Sequence, residues 1–431
     1  TMSTYAAPIR DMKFVINGGK SLKGEIAVSG SKNGATPVIA ATVLTDRKCV
    51  LRNVPRISDV MTMLELLRSM GSEQRWLDDH TVEISNHALD PARLNQNLIC
   101  KIRSSILLLG SLVSRFGRAR IATPGGCHIG SRPIDTHLGS LKALGAVIDF
   151  DVPSGIYSIS LEKKQVDTVV LREASVTATE VLMMLGARMP FKIKLAAMEP
   201  HVVALARFLE MLGVDVRCAC SYMIQLAPAS VPGKGSIDFF IDNDEIEMGT
   251  FAILAAATKG TIAIRGVMPD HLDLVLEKLR EIGVVFDIKG DRLLINGPAG
   301  NLRAAKIETR MYPGIPSDIQ APFGVLATQA QGASLIFDTL YDGRLKYIDE
   351  LKKMGADATV LDPHRALIKG PTVLHGTAVD SLDLRAGATL VIAALIAKGE
   401  SVLGGAEQID RGYERIDERL RELGADIRRV V

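Results

Sequence analysis

One segment recurs six times along the chain, and this repeat constrains the fold more than any other feature of the sequence. Each copy ends an amphipathic helical pattern in Leu-x-x-apolar-Gly, and the chain then alternates as a strand. Because glycine readily adopts the left-handed conformation that closes a helix, each copy predicts a helix, a glycine cap and a strand. The copies are Leu67 to Gly71, Leu141 to Gly145, Leu209 to Gly213, Leu279 to Gly283, Leu351 to Gly355 and Leu420 to Gly424.

A second helical pattern, rich in small apolar residues, comes earlier in each unit and leads into another strand. Its copies are Asn33 to Leu51, Ser104 to Ile121, Thr177 to Leu195, Met248 to Ile264, Ile319 to Phe337 and Ala386 to Leu403. These helices are apolar almost all round, so we expect them at the centre of the fold. The Leu-x-x-apolar-Gly helices carry charges on one face and should lie outside. Each unit is therefore an α/β module.

Six modules in 431 residues exceed what one hydrophobic core usually holds, which predicts two domains of three modules each. The boundary is expected near Ile241 to Asn243. The first strand, Lys13 to Ser29, precedes the first module and could pair with either half, so the chain could cross twice between domains. A cleft between two such domains is a common place for a ligand.

Composition excludes several classes of protein. Lys plus Arg (51) nearly balance Asp plus Glu (49), which gives no global electrostatic case for nucleic acid or a membrane surface as a partner. The longest apolar stretch, Ala388 to Ala397, is too short to span a bilayer. Five scattered cysteines and a start, TMSTYAAPIRDM, without an apolar secretory core favour reduced thiols and a cytoplasmic location.

Four polar clusters stand out, and the first is Gly30 to Gly34, which opens a central helix. Backbone N–H groups at a helix start together with Lys32 could bind an anion. The spacing of a Walker A loop is absent. Taken alone, the cluster favours the simpler interpretation of a solvated helix cap with a surface lysine.

The second cluster, Pro124 to Pro133, combines three glycines and two prolines with a thiol, Cys127, five residues before Arg132. A nearby guanidinium stabilises a thiolate, so Cys127 is the reactive candidate. The remaining cysteines, Cys49, Cys100, Cys218 and Cys220, are expected in the core. Cys218-x-Cys220 has no second pair at metal-site spacing, so we expect no metal site.

The third cluster, Tyr312 to Asp318, delivers a carboxylate at a helix start, and without further context it is a capping box in which Ser317 or Asp318 satisfies the first amides. In the fourth, arginines precede helices in YDGRLKY around Arg344, in Asp383-Leu384-Arg385 and in the segment Asp410 to Arg415. Surface ion pairs are the simpler interpretation there. Together the clusters indicate a cleft lined by Lys and Arg, suited to an anionic, phosphorylated substrate.

Four strings support a more specific interpretation. In chain order they are GEIAVSGSKNGATPVIAATVLT, PGGCHIGSRPID, YPGIPSDIQA and IDRGYERIDERLRELGA. They resemble the UDP-N-acetylglucosamine 1-carboxyvinyltransferases, which are enolpyruvyl transferases of the EPSP synthase superfamily. The resemblance implies an α/β fold of two inside-out α/β barrels with six β-α-β-α-β-β repeats, three in each domain. It places one domain at 31–242, carrying the cysteine loop, and the other at 1–30 plus 243–431.

The resemblance implies transfer of the enolpyruvyl group of phosphoenolpyruvate to the 3′-hydroxyl of UDP-N-acetylglucosamine, with release of phosphate and without a metal or organic cofactor. This is the first committed step of peptidoglycan synthesis. Cys127 then donates a proton and is alkylated by fosfomycin, while Asp318 takes the hydroxyl proton, with Lys32 as a third catalytic residue. The residues matching phosphoenolpyruvate-binding positions or further cleft arginines are Lys32, Arg103, Arg132, Arg344 and Arg411.

The resemblance also implies an acceptor site for the UDP-sugar. Its residues are Asn33, Arg103, Arg132, Pro133, Ile134, Asp135, His137, Ser175, Val176, Asp318 and Leu340. Departures from the family pattern lie on this side, at Thr177, His201 and Leu345. The alternatives are a related enolpyruvyl transferase for another uridine nucleotide and a non-catalytic nucleotide-binding relative. A sister family, the 5-enolpyruvylshikimate-3-phosphate synthases, lacks the second and fourth strings. The sequence leaves the oligomeric state open.

Overall fold

The structure, a computed structural model, describes residues 12–125, 133–162, 166–228, 235–297 and 300–431. The α-helices are α1 Lys32–Ala41, α2 Ser58–Ser69, α3 Gln96–Ile99, α4 Leu107–Phe116, α5 Asp135–Ala143, α6 Val176–Leu185, α7 Pro200–Leu212, α8 Glu245–Ala257, α9 Asp273–Ile282, α10 Ser317–Ala327, α11 Tyr347–Lys353, α12 Leu384–Ile396, α13 Ala406–Ile409 and α14 Ile416–Glu422. Short 3₁₀ turns lie at Thr42–Leu44, Pro91–Arg93, Arg103–Ile106, Pro269–His271 and Arg344–Lys346.

The repeat prediction is confirmed by the outer helices α2, α5, α7, α9, α11 and α14. The glycine of each repeat directly ends its helix or follows within two residues, and all six glycines have φ between 92° and 104°. A side chain at these positions would strain the backbone, since left-handed φ values suit glycine. The helix pattern and its glycine therefore encode the same turn six times.

The central helices α1, α4, α6, α8, α10 and α12 are buried as their composition predicts. Every residue of α8 is buried, and so are residues 384–395 of α12. Helix α4 packs against α1 and α6, whereas α8, α10 and α12 pack against one another. The central helices therefore form two bundles of three.

The strands surround these bundles in sheets. They are β1 Lys13–Asn17, β2 Lys23–Ala27, β3 Cys49–Arg52, β4 Glu73–Trp76, β5 Val82–Ser85, β6 Arg118–Ala122, β7 Ala146–Asp151, β8 Ile156–Leu161, β9 Thr168–Val170, β10 Phe191–Lys194, β11 Val214–Arg217, β12 Met223–Pro228, β13 Ile237–Phe240, β14 Thr261–Arg265, β15 Phe286–Lys289, β16 Arg292–Asn296, β17 Lys306–Glu308, β18 Gly332–Phe337, β19 Asp357–Asp362, β20 Arg365–Gly370, β21 Ala378–Asp380, β22 Glu400–Gly404 and β23 Asp426–Val430.

Within the described residues the strands form six sheets, one for each repeat. Their strand orders are β13-β3-β5-β4, β6-β8-β7, β11-β12-β10-β9, β15-β16-β14-β2, β17-β18-β20-β19 and β21-β22-β1-β23. The strand that follows each central helix pairs antiparallel with the next strand of its sheet, and in five sheets it also has a parallel neighbour.

The N-terminal segment expected as one strand is two strands, and both join the second half of the molecule. Strand β1 lies between β22 and β23, whereas β2 pairs with β14. Strand β13 follows the third repeat along the chain, but it pairs with β3 in the sheet of the first repeat. The two crossing segments touch, since the Ser31 N–H donates to the Asp242 carbonyl at 2.8 Å and the Asp244 N–H to the Ser29 carbonyl at 2.9 Å.

The second-repeat sheet lacks the parallel neighbour that the other five have. A side chain takes its place, because the Gln96 amide donates to the Arg120 carbonyl at 3.1 Å and accepts from the Ala122 N–H at 2.7 Å. Both partners belong to β6, so one glutamine satisfies part of an open strand edge.

Buried apolar residues form two separate cores. One contains residues within 35–241, and the other residues within 14–28 and 246–427. We call these parts the first and second half; the domain boundaries at 31–242 and at 1–30 plus 243–431 stay a prediction. None of the helices in the described part of the chain is long and apolar enough to cross a bilayer.

Candidate active site

The N-terminal ends of central helices from both halves meet where the chain crosses. Asp244, the N-cap of α8, accepts from the Ile246 and Glu247 N–H groups and also from the Lys32 N–H at 3.2 Å, at the start of α1. The partial positive charge of a helix N-terminus favours anions in its neighbourhood. The crossing point thus gathers helix ends from the first and second halves.

Asp318 lies in the first turn of α10 and contacts two arginines of the second half. One carboxylate oxygen accepts from Arg344 Nη2, and the other from Arg385 Nε at 3.1 Å. Burial alone would raise the pKa of Asp318, but the charges of Arg344, Arg385 and Lys32 outweigh it and hold this pKa well below its usual range. Asp318 is therefore ionised at neutral pH.

The two arginines beside Asp318 keep buried donors without a hydrogen-bond acceptor in the described part of the chain. Arg385 is 3% exposed, yet its Nη1 and Nη2 are unpartnered, as is Nε of Arg344. Burial alone would lower the pKa of Arg385. Its neighbours Tyr413, Asp318 and Asp244 raise this pKa by more, so the guanidinium stays charged. Buried charged donors of this kind are suited to an anionic ligand.

A second carboxylate, Asp59, joins two further cations across the halves. Its Oδ2 lies 3.3 Å from Lys32 Nζ, and its Oδ1 accepts from Arg411 Nε at 2.9 Å. Burial alone would raise the pKa of Asp59. The positive charges of Lys32 and Arg411 lower it by more, so the pKa of Asp59 lies below its usual value. We call Lys32, Asp59, Asp318, Arg344, Arg385 and Arg411 the donor cluster.

The predicted proton donor, Cys127, and the predicted cation Arg132 lie outside the described residues. Residues on either side of that segment contact one stretch of the first half. Arg103 Nη2 donates to the Pro133 carbonyl at 3.1 Å. Gly125 packs so closely on Cys100 that a Cβ would lie 1.6 Å from its carbonyl oxygen. Arg103 thus contacts Pro133, the first described residue after 126–132, and its role at the site stays a prediction.

Most of the predicted acceptor residues come together at the starts of α5 and α6. Asp135 begins α5, Ser175 caps α6 and Val176 begins it. Nε2 of the buried His137 forms a 2.9 Å hydrogen bond with Thr177 Oγ1, which ties the two helix starts together. We call residues 133–137 and 175–177 the acceptor wall, and all of them belong to the first half.

A cavity of about 450 Å³ lies between the halves near this wall. It is lined by Ala174, Ala196, Ala197, Met198, Glu199 and Tyr222 of the first half and by Glu308, Arg310, Met311, Tyr312, Pro313, Thr339 and Leu340 of the second. Among the predicted site residues that the structure describes, Leu340 alone lines it. Asn33 lies in the first turn of α1, beside Lys32 and away from this lining.

The simpler interpretations of the first and third polar clusters are wrong, and that of the fourth is wrong for Arg385, whereas Arg415 does form an exposed ion pair with Glu418. Lys32 is not a surface lysine, because it pairs with the buried Asp59. Neither Ser317 nor Asp318 caps α10: Ser317 Oγ donates to Asp338 at 2.5 Å, and Asp318 binds arginines. Arg385 is buried and forms no surface ion pair.

The expectation that the other cysteines lie in the core holds for Cys49 alone. Burial raises the pKa of Cys49 to about 12, so this thiol is unreactive at neutral pH. Cys100, Cys218 and Cys220 are exposed and unbridged. The reason is local: Cys100 ends α3, and Cys218 has φ of 62° in the turn between β11 and β12.

Sequence reasoning missed Asp59 and the importance of Arg385. An acid in the first turn of an outer helix is ordinary, because it complements the helix dipole, so Asp59 gave no distinct signal. The same reasoning missed a buried contact between the halves, in which His201 Nδ1 lies 3.4 Å from Glu245 Oε1. Glu180, Glu199 and His271 are charged or titratable neighbours of this pair.

Comparison with known proteins decides the family. The model of the EPSP synthase (3-phosphoshikimate 1-carboxyvinyltransferase) family matches residues 16–420. The chain belongs to this family. The enolpyruvyl transferase NikO from Streptomyces tendae covers 97% of the chain and 99% of its own, with a TM-score of 0.88 and 25% identity. EPSP synthase from Acinetobacter baumannii shares the fold, with a TM-score of 0.71 and 19% identity over 97% of the chain and 100% of its own.

Curated relatives are more similar in sequence. UDP-N-acetylglucosamine 1-carboxyvinyltransferase 1 of Carboxydothermus hydrogenoformans is 41% identical over 97% of this chain and 98% of its own length. The UDP-N-acetylglucosamine 1-carboxyvinyltransferase of Halothermothrix orenii is 39% identical over 97% and 99%. The family and fold implied by the sequence motifs are confirmed.

Proposed function

We propose that the protein transfers the enolpyruvyl group of phosphoenolpyruvate to the 3′-hydroxyl of UDP-N-acetylglucosamine and releases phosphate. The observation that carries the proposal is the donor cluster, in which four cations converge on two carboxylates at helix starts from both halves. Phosphoenolpyruvate brings a carboxylate and a phosphate, so it needs such cations. The names of the curated relatives give the same activity.

The proposed reaction proceeds by addition and elimination. Cys127 protonates the methylene carbon of phosphoenolpyruvate while the sugar hydroxyl attacks C2 and loses its proton to Asp318. The resulting tetrahedral ketal returns a proton from its new methyl group to the Cys127 thiolate as the C–O bond to phosphate breaks, and the leaving phosphate takes the proton held by Asp318. Lys32, Arg132 and Arg411 stabilise the negative charge that leaves with phosphate. Cys127 and Asp318 carry the protons, and no cofactor enters the proposed scheme.

Asp318 needs a change of partners to act as a base. Its oxygens accept from Arg344 and Arg385, and a carboxylate whose pKa is this low accepts protons poorly. An anionic substrate that takes over the unpartnered donors of these arginines would weaken their hold on Asp318. Binding of the anionic substrate would then also activate Asp318 as the base.

The acceptor wall is the proposed site for the uridine nucleotide, together with Asn33, Arg103 and Leu340. One observation favours the alternative acceptor, another uridine nucleotide. Thr177 presents a side chain at the start of α6, where the family pattern has glycine, and its hydroxyl engages His137. A different side chain at a nucleotide wall is a plausible basis for a different acceptor.

Phosphate release from phosphoenolpyruvate, measured with UDP-N-acetylglucosamine, UDP-glucose, UMP and shikimate 3-phosphate, tests the proposal. We expect UDP-N-acetylglucosamine to give the highest kcat/KM and shikimate 3-phosphate none, because unpaired polar groups in the wall disfavour acceptors without uridine. Preference for UMP or UDP-glucose would support the alternative acceptor. Inhibition by fosfomycin with one adduct on Cys127 would support the role of this thiol, and label on Cys100, Cys218 or Cys220 would contradict it.

The proposed activity places the protein at the first committed step of peptidoglycan synthesis, in the cytoplasm where its substrates are made. Phosphoenolpyruvate and UDP-N-acetylglucosamine are the proposed partners. We also propose that residues 31–242 and residues 1–30 plus 243–431 are the two domains, which the separate apolar cores support.

A further inference from the structure

We propose that Glu414 is a positioning residue that fixes the turn carrying Arg411 on the first half, and thereby holds Arg411 in the donor cluster. This inference rests on the proposed function, because the donor is taken to be phosphoenolpyruvate. Residues 410–414 are called the Arg411 turn below.

No long helix holds the Arg411 turn. Helix α13 has four residues and ends at Ile409, and α14 begins only at Ile416. The first residue of the turn is tied to its own half, because Asp410 accepts from Arg429 Nη1 at 2.6 Å and Nη2 at 2.9 Å. Within the second half the buried Tyr413 also holds the turn, because its hydroxyl lies 2.9 Å from Thr250 Oγ1. Contacts with the first half set the position of the turn relative to α2.

Glu414 supplies the contacts at the far end of the turn. Its Oε2 accepts from the Arg56 N–H at 2.9 Å, and its Oε1 lies 3.0 Å from His80 Nε2. The Glu414 side chain is 12% exposed, but that of His80 is 49% exposed, so solvent screens the contact with His80. Arg415, at φ 46°, follows directly and turns the chain into α14.

Between these two anchors the turn meets the start of α2. The Ser58 N–H donates to the Asp410 carbonyl at 3.1 Å, and Arg411 reaches Asp59 one residue later. Arg56, Ser58 and Asp59 therefore hold three points of the turn in register with α2. Loss of the Glu414 anchor would leave Arg411 attached through its own side chain and the Asp410 carbonyl.

Three substitutions and one control test the role of Glu414. Glu414→Ala removes both contacts, Glu414→Gln keeps an oxygen for the Arg56 N–H, and His80→Ala removes one partner. Glu418→Ala is the matched control, since Glu418 is a nearby acid of the same segment, pairs with Arg415 and has no hydrogen bond or ion pair with the described part of the first half. Steady-state phosphate release gives KM and kcat for each substrate, and hydrogen exchange reports the amides of Arg56 and Ser58.

For Glu414→Ala we expect the KM for phosphoenolpyruvate to rise about tenfold, since hydrogen bonds to a charged group are lost. The KM for UDP-N-acetylglucosamine should stay within about twofold, because the acceptor wall lies elsewhere. Exchange at Arg56 and Ser58 should accelerate. Glu414→Gln and His80→Ala should show smaller shifts in the same direction, and Glu418→Ala none.

An unchanged KM for phosphoenolpyruvate despite faster exchange would overturn the positioning role. So would an equal rise of both KM values, or the same effect in Glu418→Ala. If Glu414→Ala does not fold, Glu414→Gln and His80→Ala carry the test. A wild-type protein that releases no phosphate with UDP-N-acetylglucosamine would contradict the proposed function instead, while exchange at Arg56 and Ser58 would still report whether Glu414 docks the turn.

Discussion

The donor cluster and the acceptor wall are built in opposite ways. The donor cluster joins charged side chains from both halves, as in the contact of Asp59 with Lys32 and Arg411. The acceptor wall lies within the first half and is tied together by the side-chain hydrogen bond between His137 and Thr177. A donor site of this kind exists only when the halves meet, whereas the wall is complete in one half. We therefore expect variants of the two regions to affect different kinetic parameters.

The largest effect is expected for Asp318→Asn in the donor cluster. The amide keeps the shape of the side chain but removes the charge and the proton acceptor, so kcat should fall on the order of 10²- to 10⁴-fold. The KM for UDP-N-acetylglucosamine should change far less than kcat, because the wall is intact and Asp318 is one of several predicted acceptor residues. Stopped-time phosphate release measures both, with thermal unfolding as the control for folding. Nearly normal turnover would mean that Asp318 only anchors Arg344 and Arg385.

A smaller effect, confined to the acceptor, is expected for Thr177→Ala. The substitution removes one hydrogen bond to His137. Such a bond contributes about 1 kcal/mol, so the KM for UDP-N-acetylglucosamine should rise about fivefold. The KM for phosphoenolpyruvate should stay the same, and Thr177→Ser should restore the wild-type value because it retains the hydroxyl. A lower KM in Thr177→Ala would instead indicate that the threonine side chain crowds the acceptor.

The smallest kinetic effect is expected at another contact between the halves, the buried pair His201 and Glu245. Burial lowers the pKa of His201, but Glu245, Glu180 and Glu199 raise it to a net value of about 9. Because the folded pKa lies above the unfolded one, the stabilising contribution is complete below about pH 6.5 and is lost as pH rises through 9. His201→Gln should remove this part of the decline.

Burial raises the pKa of the neighbouring Glu180 to about 8, so the free energy of unfolding also falls as pH rises from about 4.5 to 8. Urea unfolding across this range for wild type, His201→Gln and Glu180→Gln separates the two contributions. At neutral pH His201→Gln should leave both KM values within about twofold. A rise in the KM for phosphoenolpyruvate would show that donor binding responds to any loosened contact between the halves. The donor cluster would then have no specific effect on donor binding that sets it apart from other such contacts.

The sequence predicted those parts of the fold that local patterns encode. Gly71 and its five counterparts mark helix ends because the left-handed turn needs glycine at that position. The alternation pattern left open which half the N-terminal strands join and did not predict that β13 pairs with β3, since alternation indicates which face of a strand is buried and not which strand is its neighbour. Only the resemblance placed residues 1–30 with 243–431.

The site was predicted where a motif string covers it and missed where long-range pairing creates it. Lys32, Asp318 and Arg411 lie in such strings, and the structure brings all three into the donor cluster. Asp59 became a site residue only because Arg411, 352 positions away, meets it. No pattern near Ser58 contains that information.

The place of β1 also determines when the molecule can be completed during synthesis. Phe14 lies opposite Leu403 and Arg429, so β1 must wait for β22 and β23, which are synthesised after all the other described strands. The first half has all its strands once β13 has emerged, and domains generally fold as units in the order of their synthesis. The second half receives β2 with β14 but closes only when β22 and β23 enclose β1. A ribosome-bound chain that stops before Glu400 would therefore hold a finished first half beside an apolar strand without neighbours, which is the form most in need of a chaperone.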